Sequence, residues 1–512
     1  MNSTLGTQRY SALYDKYRDE SAILKTEDYA KWSLPTIYAD PDLRDGKRVS
    51  VARDYQSVGA VLTNHLSSKL ASLLFPATQS FFRIDASSGT SQVAQAMGVG
   101  QNDVGASLAN LENEAYRRIF LKSSYHQLVH TMKLLISTGN CLLYRDSGTG
   151  GTHAYSLRQY SYMRDGAGVV WDILLKERTQ IQSLPEDVQI HFKGREEGSC
   201  VELYTRAKRE RRAIGDVFVI TQEVEGHLLG NESEYPEAIC PFIPVVWNLV
   251  TGETYGRGLV EDYAGDFAKL SQLSEALALY EIESCRVLHM AKPGSGADID
   301  SMAQEESGAW VSGDPGAVQA YEAGDYNKIQ ALRAELDSIE QRLAPAFMYA
   351  GNQRDAERVT AEEIRQNAQE AEMALGGVYS SIADSLHIPL AHILCWEVNP
   401  SFINELLAGG LTLSVLTGVA ALGRTADVDK LVNASQILGV VMPVLTQSSG
   451  RFDPDRIIDK VLLGVGLNPD DYCYTEEELK AKQAQQAAQQ QAAVQPVDSS
   501  LSDVSGVIQQ GI

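Results

Sequence analysis

A mainly helical α+β protein is what this sequence predicts, and three observations predict it. Before residue 140 and after residue 255, apolar residues recur at three- and four-residue intervals, the period of an amphipathic helix. Between about 140 and 250 the texture changes to short alternating or β-branched runs broken by glycine turns, the pattern of antiparallel strands. The two patterns are segregated along the chain, so the strands form a sheet set into a helical protein. Apolar side chains make up 44% of the 512 residues, enough for a folded core and too many for a disordered chain.

Taken in order, residues 6–75 read as helix, in "YSALYDKYRDESAILKTEDYAKW" and "YQSVGAVLTNHLSSKLASLLF", with Pro76 stopping the second. "SFFRIDA" follows as a short strand, and 103–138 return to helix. "NCLLYRD", "HAYSLRQYSYMRD", "VVWDILLKERTQ", "SCVELYTRAKRE" and "AIGDVFVITQEVEG" supply the strands, with a hairpin at Asp165-Gly166. The run "SGTGG" (147–151) lies between strand-like segments and reads as a hairpin loop in preference to a phosphate cradle.

A long helix is expected over 256–290, with the seam Tyr263, Phe267, Leu270, Leu273 or Ser274, Leu277 and Tyr280, spanning about 50 Å at 1.5 Å per residue. Glu261, Asp262 and Asp266 sit near its start, where the helix dipole favours acids. A turn-rich piece (291–328) leads to a second helix (329–347), and then to a polar loop (348–358) carrying Arg354 and Arg358. Thr360 and Glu363 form a capping box, and Val359 with Ile364 a hydrophobic staple, so a further helix starts there. Its stripe runs Ile364, Ala368, Ala371, Leu375, Val378, Ile382 and Leu386, with a bend expected at Gly376-Gly377 and an end at Pro389. Residues 400–475 read as another helical region. Within it the uncharged stretch "LLAGGLTLSVLTGVAALG" (406–423) is expected to be a buried helix pair and not a membrane span. The end, 476–512, is Gln/Ala-rich and then Ser-rich, a low-complexity and mobile tail.

The formal charge of −23 argues against ordinary DNA binding, which calls for a basic footprint. The densest basic run is "RAKRERR", with Arg206, Lys208, Arg209, Arg211 and Arg212. It is either a solvated hairpin tip or a docking patch for an acidic partner or nucleic acid. Cys141, Cys200, Cys240, Cys285, Cys395 and Cys473 are scattered, so reduced thiols in a cytoplasmic product are expected, with no zinc site and no disulfide framework. The first twenty residues lack the apolar core of a signal peptide.

Chemistry is hard to find. Gly46-Lys47 lacks the rest of a phosphate-binding loop, and no GxSxG or HExxH occurs. His126 and His130, four apart, have no evident third ligand, and His392 with Cys395 lies in an apolar run that suggests core. Glu362 and Glu363 serve the helix start. No catalytic residue, metal or cofactor is therefore expected, and the protein reads as no enzyme.

Three segments carry a resemblance: "LFPATQSFFRID" (74–85), "TGETYGRGLVEDYAGDFAKL" (251–270) and "ERVTAEEIRQNAQEAEMALGGVYSSIADSLHIPL" (357–390). Together they resemble the head-to-tail connector, or portal protein, of short-tailed podophages of the autographivirus type, collinearly over about residues 5–475. The resemblance implies the portal fold, assembled as a ring, normally of twelve copies, at one capsid vertex. It implies a wing (1–254), a descending stem helix (255–290), a clip (291–328), a returning stem helix (329–347), a tunnel loop (348–358), a tunnel helix with wing return (359–399) and a crown (400–475). It implies double-stranded DNA passing through the channel, and the terminase large subunit, scaffolding and major capsid proteins, internal core proteins and a tail adaptor as partners, with no membrane. The place implied is the virion, after assembly in the host cytoplasm. Trp310 falls in the clip, where terminase would dock.

On that reading the acidic chain has a reason. Each Lys or Arg contact to phosphate adds affinity through counterion release, so a conducting wall must be mostly acidic and touch DNA at few points. Arg354 and Arg358 are the expected contacts. The alternative for Arg358 is an ion pair with a neighbouring carboxylate such as Glu357 or an adjacent subunit's Glu362. The alternative for the whole chain is a ring-forming structural adaptor that does not itself contact DNA.

Overall fold

The computed structural model describes residues 9–38, 54–86 except 78 and 79, 101–349 with gaps chiefly at 295–298, 305–313 and 323–325, most of 373–415, and short pieces between 434 and 464. The chain divides into two compact units, Met1–Ala421 and Leu422–Ile512. Every element below belongs to the first.

The N-terminal helical stretch is two helices, α1 (Tyr10–Tyr17) and α2 (Glu20–Trp32). The chain turns extended at Asp19, whose carboxylate accepts the Ala22 amide at 3.1 Å and caps α2. α3 (Val58–Leu74) buries Leu62, Leu66, Leu70 and Leu74, a stripe at every fourth residue, and stops before Pro76. α4 (Gln101–Arg117) and α5 (Ser124–Thr138) complete the first helical layer.

The strands between 140 and 246 form two antiparallel sheets. β2 (Asn140–Asp146) sits between β3 (Gly151–Tyr155) and β9 (Phe242–Val246). The second sheet is a five-stranded meander of β4 (Tyr160–Arg164), β5 (Val170–Gln180), β6 (Cys200–Arg212), β7 (Gly215–Val224) and β8 (His227–Pro236). Side chains alternate along β5. Ile173 and Leu175 join Leu142 and Phe242 in the core between the sheets, whereas Leu174 faces the other way and is covered by Tyr10, Leu13 and Tyr14 of α1. Both expected hairpins are present: Asp146 pairs with Gly151 across "SGTGG", and the Asp165 carboxylate accepts the amides of Ala167 and Val169 at 3.0 and 2.9 Å.

A helical hairpin follows, α6 (Ala264–Ser284) and α7 (Tyr326–Ala346). The helix expected to reach residue 290 stops at Ser284, and at 21 residues spans about 32 Å. Residues Val287–Ala291 form instead a strand, β10, paired antiparallel with β11 (Val318–Glu322). Backbone pairing across some thirty residues of chain overrides the local helical period there.

Two further expectations change. The helix does not end at Pro389. It runs through Val378–Ile382, a π-helical turn Ala383–His387, and α8 (Ile388–Val398). Pro389 lies in the first turn of α8, directly after the π-helical turn. Of the expected bend at Gly376-Gly377, Gly377 stands at φ +84°, while Gly376 and most of the helix before it lie outside the described residues. The uncharged stretch 406–423 is not a helix pair: Leu411–Val415 form β12, paired antiparallel with β1 (Phe82–Ala86). Leu411, Leu413 and Val415 pack on the core while Thr412 and Ser414 lie on the other face, a period of two that the longer run concealed. Most of 416–475, and the tail 476–512, lie outside the described residues. Among those that are described, no helix is long and apolar enough to cross a membrane.

Candidate functional site

The helical hairpin starts from a close backbone approach that explains two glycines of "TGETYGRG", Gly256 and Gly258. α5 ends at Gly139, at φ +77°, and a Cβ there would stand 2.4 Å from the Arg257 carbonyl carbon and the Gly258 nitrogen. A Cβ on Gly258 would meet the Gly139 nitrogen at 2.7 Å. The Asn140 side chain closes the joint, donating to the Gly256 carbonyl at 2.7 Å and accepting the Gly256 amide at 2.7 Å. With these contacts the sheet region holds the entry of α6.

At the same end of the hairpin, Phe267 and Leu270 on α6, Ile339 and Leu343 on α7, and Phe347 just past its end are buried in the main core. Toward the other end Leu277 and Tyr280 of the seam are half-buried, and Leu279 and Ile282, off the seam, are 56% and 62% exposed. Ion pairs lace the two helices: Arg342 to Asp266 and Arg333 to Glu281, each at 2.8 Å, and Lys269 to Glu335. Over the two helices, seven acids face four bases, and three of those four bases are Lys269, Arg333 and Arg342.

A buried ion pair ties α8 to the first sheet. Arg145 on β2 donates to Glu397 through Nε and Nη2 at 2.8 and 2.9 Å, and its Nη1 reaches the hydroxyls of Ser124 and Thr152 at 3.2 and 3.1 Å. Both side chains are 1% exposed. The π-helical turn places His387 in an aromatic box, its ring 4.3 Å from Phe81 and 4.9 Å from Phe75. Burial pushes its pKa down to about 3, so the imidazole is neutral.

The basic run 206–212 is strand β6 rather than a hairpin tip alone, and much of its charge is compensated within the sheet. Arg206 pairs with Asp172 at 2.6 Å, and Arg209 with Asp216 and Glu237 at 2.7 Å each. Arg211 lies over the Trp171 ring at 5.1 Å. Lys208 and Arg212 meet Glu210 and Glu234, yet these two and Arg211 keep exposed side chains. His130 on α5 is held down to about 4, chiefly by burial, while Cys395 and most of His392 are enclosed in the core around α8. Arg354, Arg358, Thr360, Glu363 and Trp310 lie outside the described residues. What sequence reasoning missed is the Arg145–Glu397 pair. Its signal was a lone acid in the apolar run "HILCWEV" and a lone base inside the strand "NCLLYRD".

An antiparallel sheet region joined through a glycine-packed joint to a long helical hairpin fits the connector class that the three segments resembled. Residues 7–472 match the family model described as bacteriophage head to tail connecting protein, and the chain belongs to that family. It is 40% identical to the portal protein of Pseudomonas phage phiKMV, over 97% of this chain and 98% of that protein. It is 31% identical to the portal protein of Enterobacteria phage SP6 (95% and 93% covered) and 29% identical to that of Escherichia phage T7 (93% and 90%).

Proposed function

We propose that this chain is the subunit of a portal ring, twelve copies at one capsid vertex, through which double-stranded DNA is packaged and ejected. The observation that carries the ring is the uneven burial of the helical hairpin. Its inner half is locked into the core, and its outer half leaves Leu279 and Ile282 bare. A neighbouring hairpin in a closed ring would cover them. The acidic excess of the hairpin supports DNA sliding past it without being trapped. In this reading 291–328 is the clip that docks the terminase large subunit, with Trp310 in it. Loop 348–358 presents Arg354 and Arg358 to the DNA backbone, and Thr360 with Glu363 fixes the start of the tunnel helix. The exposed Lys208, Arg211 and Arg212 are the part of the basic run left for an acidic partner. Scaffolding, major capsid, internal core and tail adaptor proteins complete its surroundings in the virion, after assembly in the host cytoplasm. The subunit itself turns over no ATP.

Mass photometry and negative-stain microscopy of the purified protein test the reading. A ring with a duplex-sized hole is expected; monomers or dimers alone overturn it, and a closed or narrower hole leaves the adaptor that does not touch DNA. Replacing Arg354 and Arg358 by Ala should leave ring formation and melting intact, because solvated charges contribute little to stability, and should lower the DNA retained in assembled heads. A defect confined to assembly would assign the two arginines to ion pairs.

A further inference from the structure

We propose that His65 is a positioning residue that fixes the direction in which the chain leaves the returning helix α7. That helix ends in a two-bond turn: the Met348 amide donates to the Pro345 carbonyl at 3.0 Å, and the Tyr349 amide to the Ala344 carbonyl at 2.8 Å. This pairing requires a left-handed residue between them, and Met348 stands at φ +53°. Glycine is the residue suited to that position, because any side chain there brings Cβ against the following carbonyl oxygen. A methionine so placed needs outside support.

The structure supplies it from α3. His65 Nε2 lies 3.2 Å from the Met348 carbonyl oxygen. The carbonyl carries no proton, so Nε2 donates, and the contact sets the tautomer of the ring. The Tyr349 ring packs edge-on against the same imidazole, with centroids 5.3 Å apart at 83°. His65 therefore holds both residues of the turn, and it does so from a helix that is itself pinned by Leu62, Leu66 and Leu70 in the core. Met348 is 8% exposed and belongs to the main core, which opposes its rotation out of the turn. Residue 350 then begins the segment leading to Arg354 and Arg358. That this direction matters for DNA rests on the function proposed above; the clamp itself does not.

Hydrogen exchange on the assembled full-length protein tests the clamp. In His65→Ala the amides of Met348 and Tyr349 should exchange about five- to thirtyfold faster, the factor matching the cost of a left-handed residue that bears a side chain. His65→Gln keeps an N–H donor and should retain most of the protection. Met348→Gly in the His65→Ala background should restore it, since glycine takes the left-handed conformation without support. Unchanged exchange in His65→Ala, Gln behaving like Ala, or no rescue by Gly would overturn the proposal. So would a loss of protection spread along α3, which would make His65 a packing residue. DNA retention in heads built from His65→Ala addresses the other reading: a loosened turn with normal retention would sink the loop's role in DNA handling and leave the clamp standing.

Discussion

Replacing Glu397 by leucine should cost the subunit about 3–5 kcal/mol, out of a total stability of about 5–15 kcal/mol. The magnitude follows from burial. Neither the Glu397 nor the Arg145 side chain is more than 1% exposed, so the guanidinium left behind cannot be rehydrated in place. The hydroxyls of Ser124 and Thr152 already accept from its Nη1 and cannot neutralise it. Arg118, whose Nη1 is 3.8 Å from the same carboxylate, is 32% exposed and adds a minor, solvent-screened attraction. Arg145→Leu alone should be damaging for the converse reason, leaving a carboxylate enclosed. The double variant Arg145→Leu/Glu397→Leu removes both charges together and should recover most of the loss, apart from about 1–3 kcal/mol for two hydroxyls short of a donor. Urea unfolding of the unassembled subunit, followed by tryptophan fluorescence from buried Trp247 and neighbouring probes, measures all four corners of the cycle. If Glu397→Leu stays within about 1 kcal/mol of the parent, or the double variant loses the sum of the singles, the pair is not the tie between α8 and β2 that its geometry indicates.

Three other outcomes are expected. Gly258→Ala should destabilise by about 1–3 kcal/mol, because its Cβ would stand 2.7 Å from the Gly139 nitrogen. Gly265→Ala in α6, with nothing within 4 Å, should stabilise by about 0.5–1 kcal/mol, and thermal melting of the two variants tells them apart. His387 is held at about 3 in the fold, against an ordinary value of 6.5, so the unfolded chain binds the extra proton. Its contribution is whole above pH 6.5 and falls by about 1.4 kcal/mol per unit as the pH drops toward 3. His387→Phe should flatten the pH dependence of the urea midpoint between pH 6.5 and 5, and an unchanged slope would show that the imidazole is not buried neutral.

Much of this protein was legible without coordinates because its signals are local. The stripe Leu62, Leu66, Leu70 and Leu74 declares α3 wherever the helix packs, and the turn residues 147–151 and 165–169 declare their hairpins. The three collinear segments pointed to the connector family that the whole-chain match shows. Only the tertiary structure decided elements whose partners are distant in sequence. β12 is a strand because β1, more than 300 residues earlier, offers it a free edge, and β10 is one because β11 does. The helix crosses Pro389 because a π-helical turn precedes it. Gly256 and Gly258 are plain in the sequence, but what they make room for, the end of α5 at Gly139, is not. The same holds for charge. Arg206, Arg209 and Arg145 look alike as letters, and burial beside Asp172, Asp216 and Glu397 turns them into structural ties. Periodicity is a property of neighbouring residues and survives in one dimension, whereas pairing, desolvation and close approach are relations between chain segments that exist only once the chain has folded.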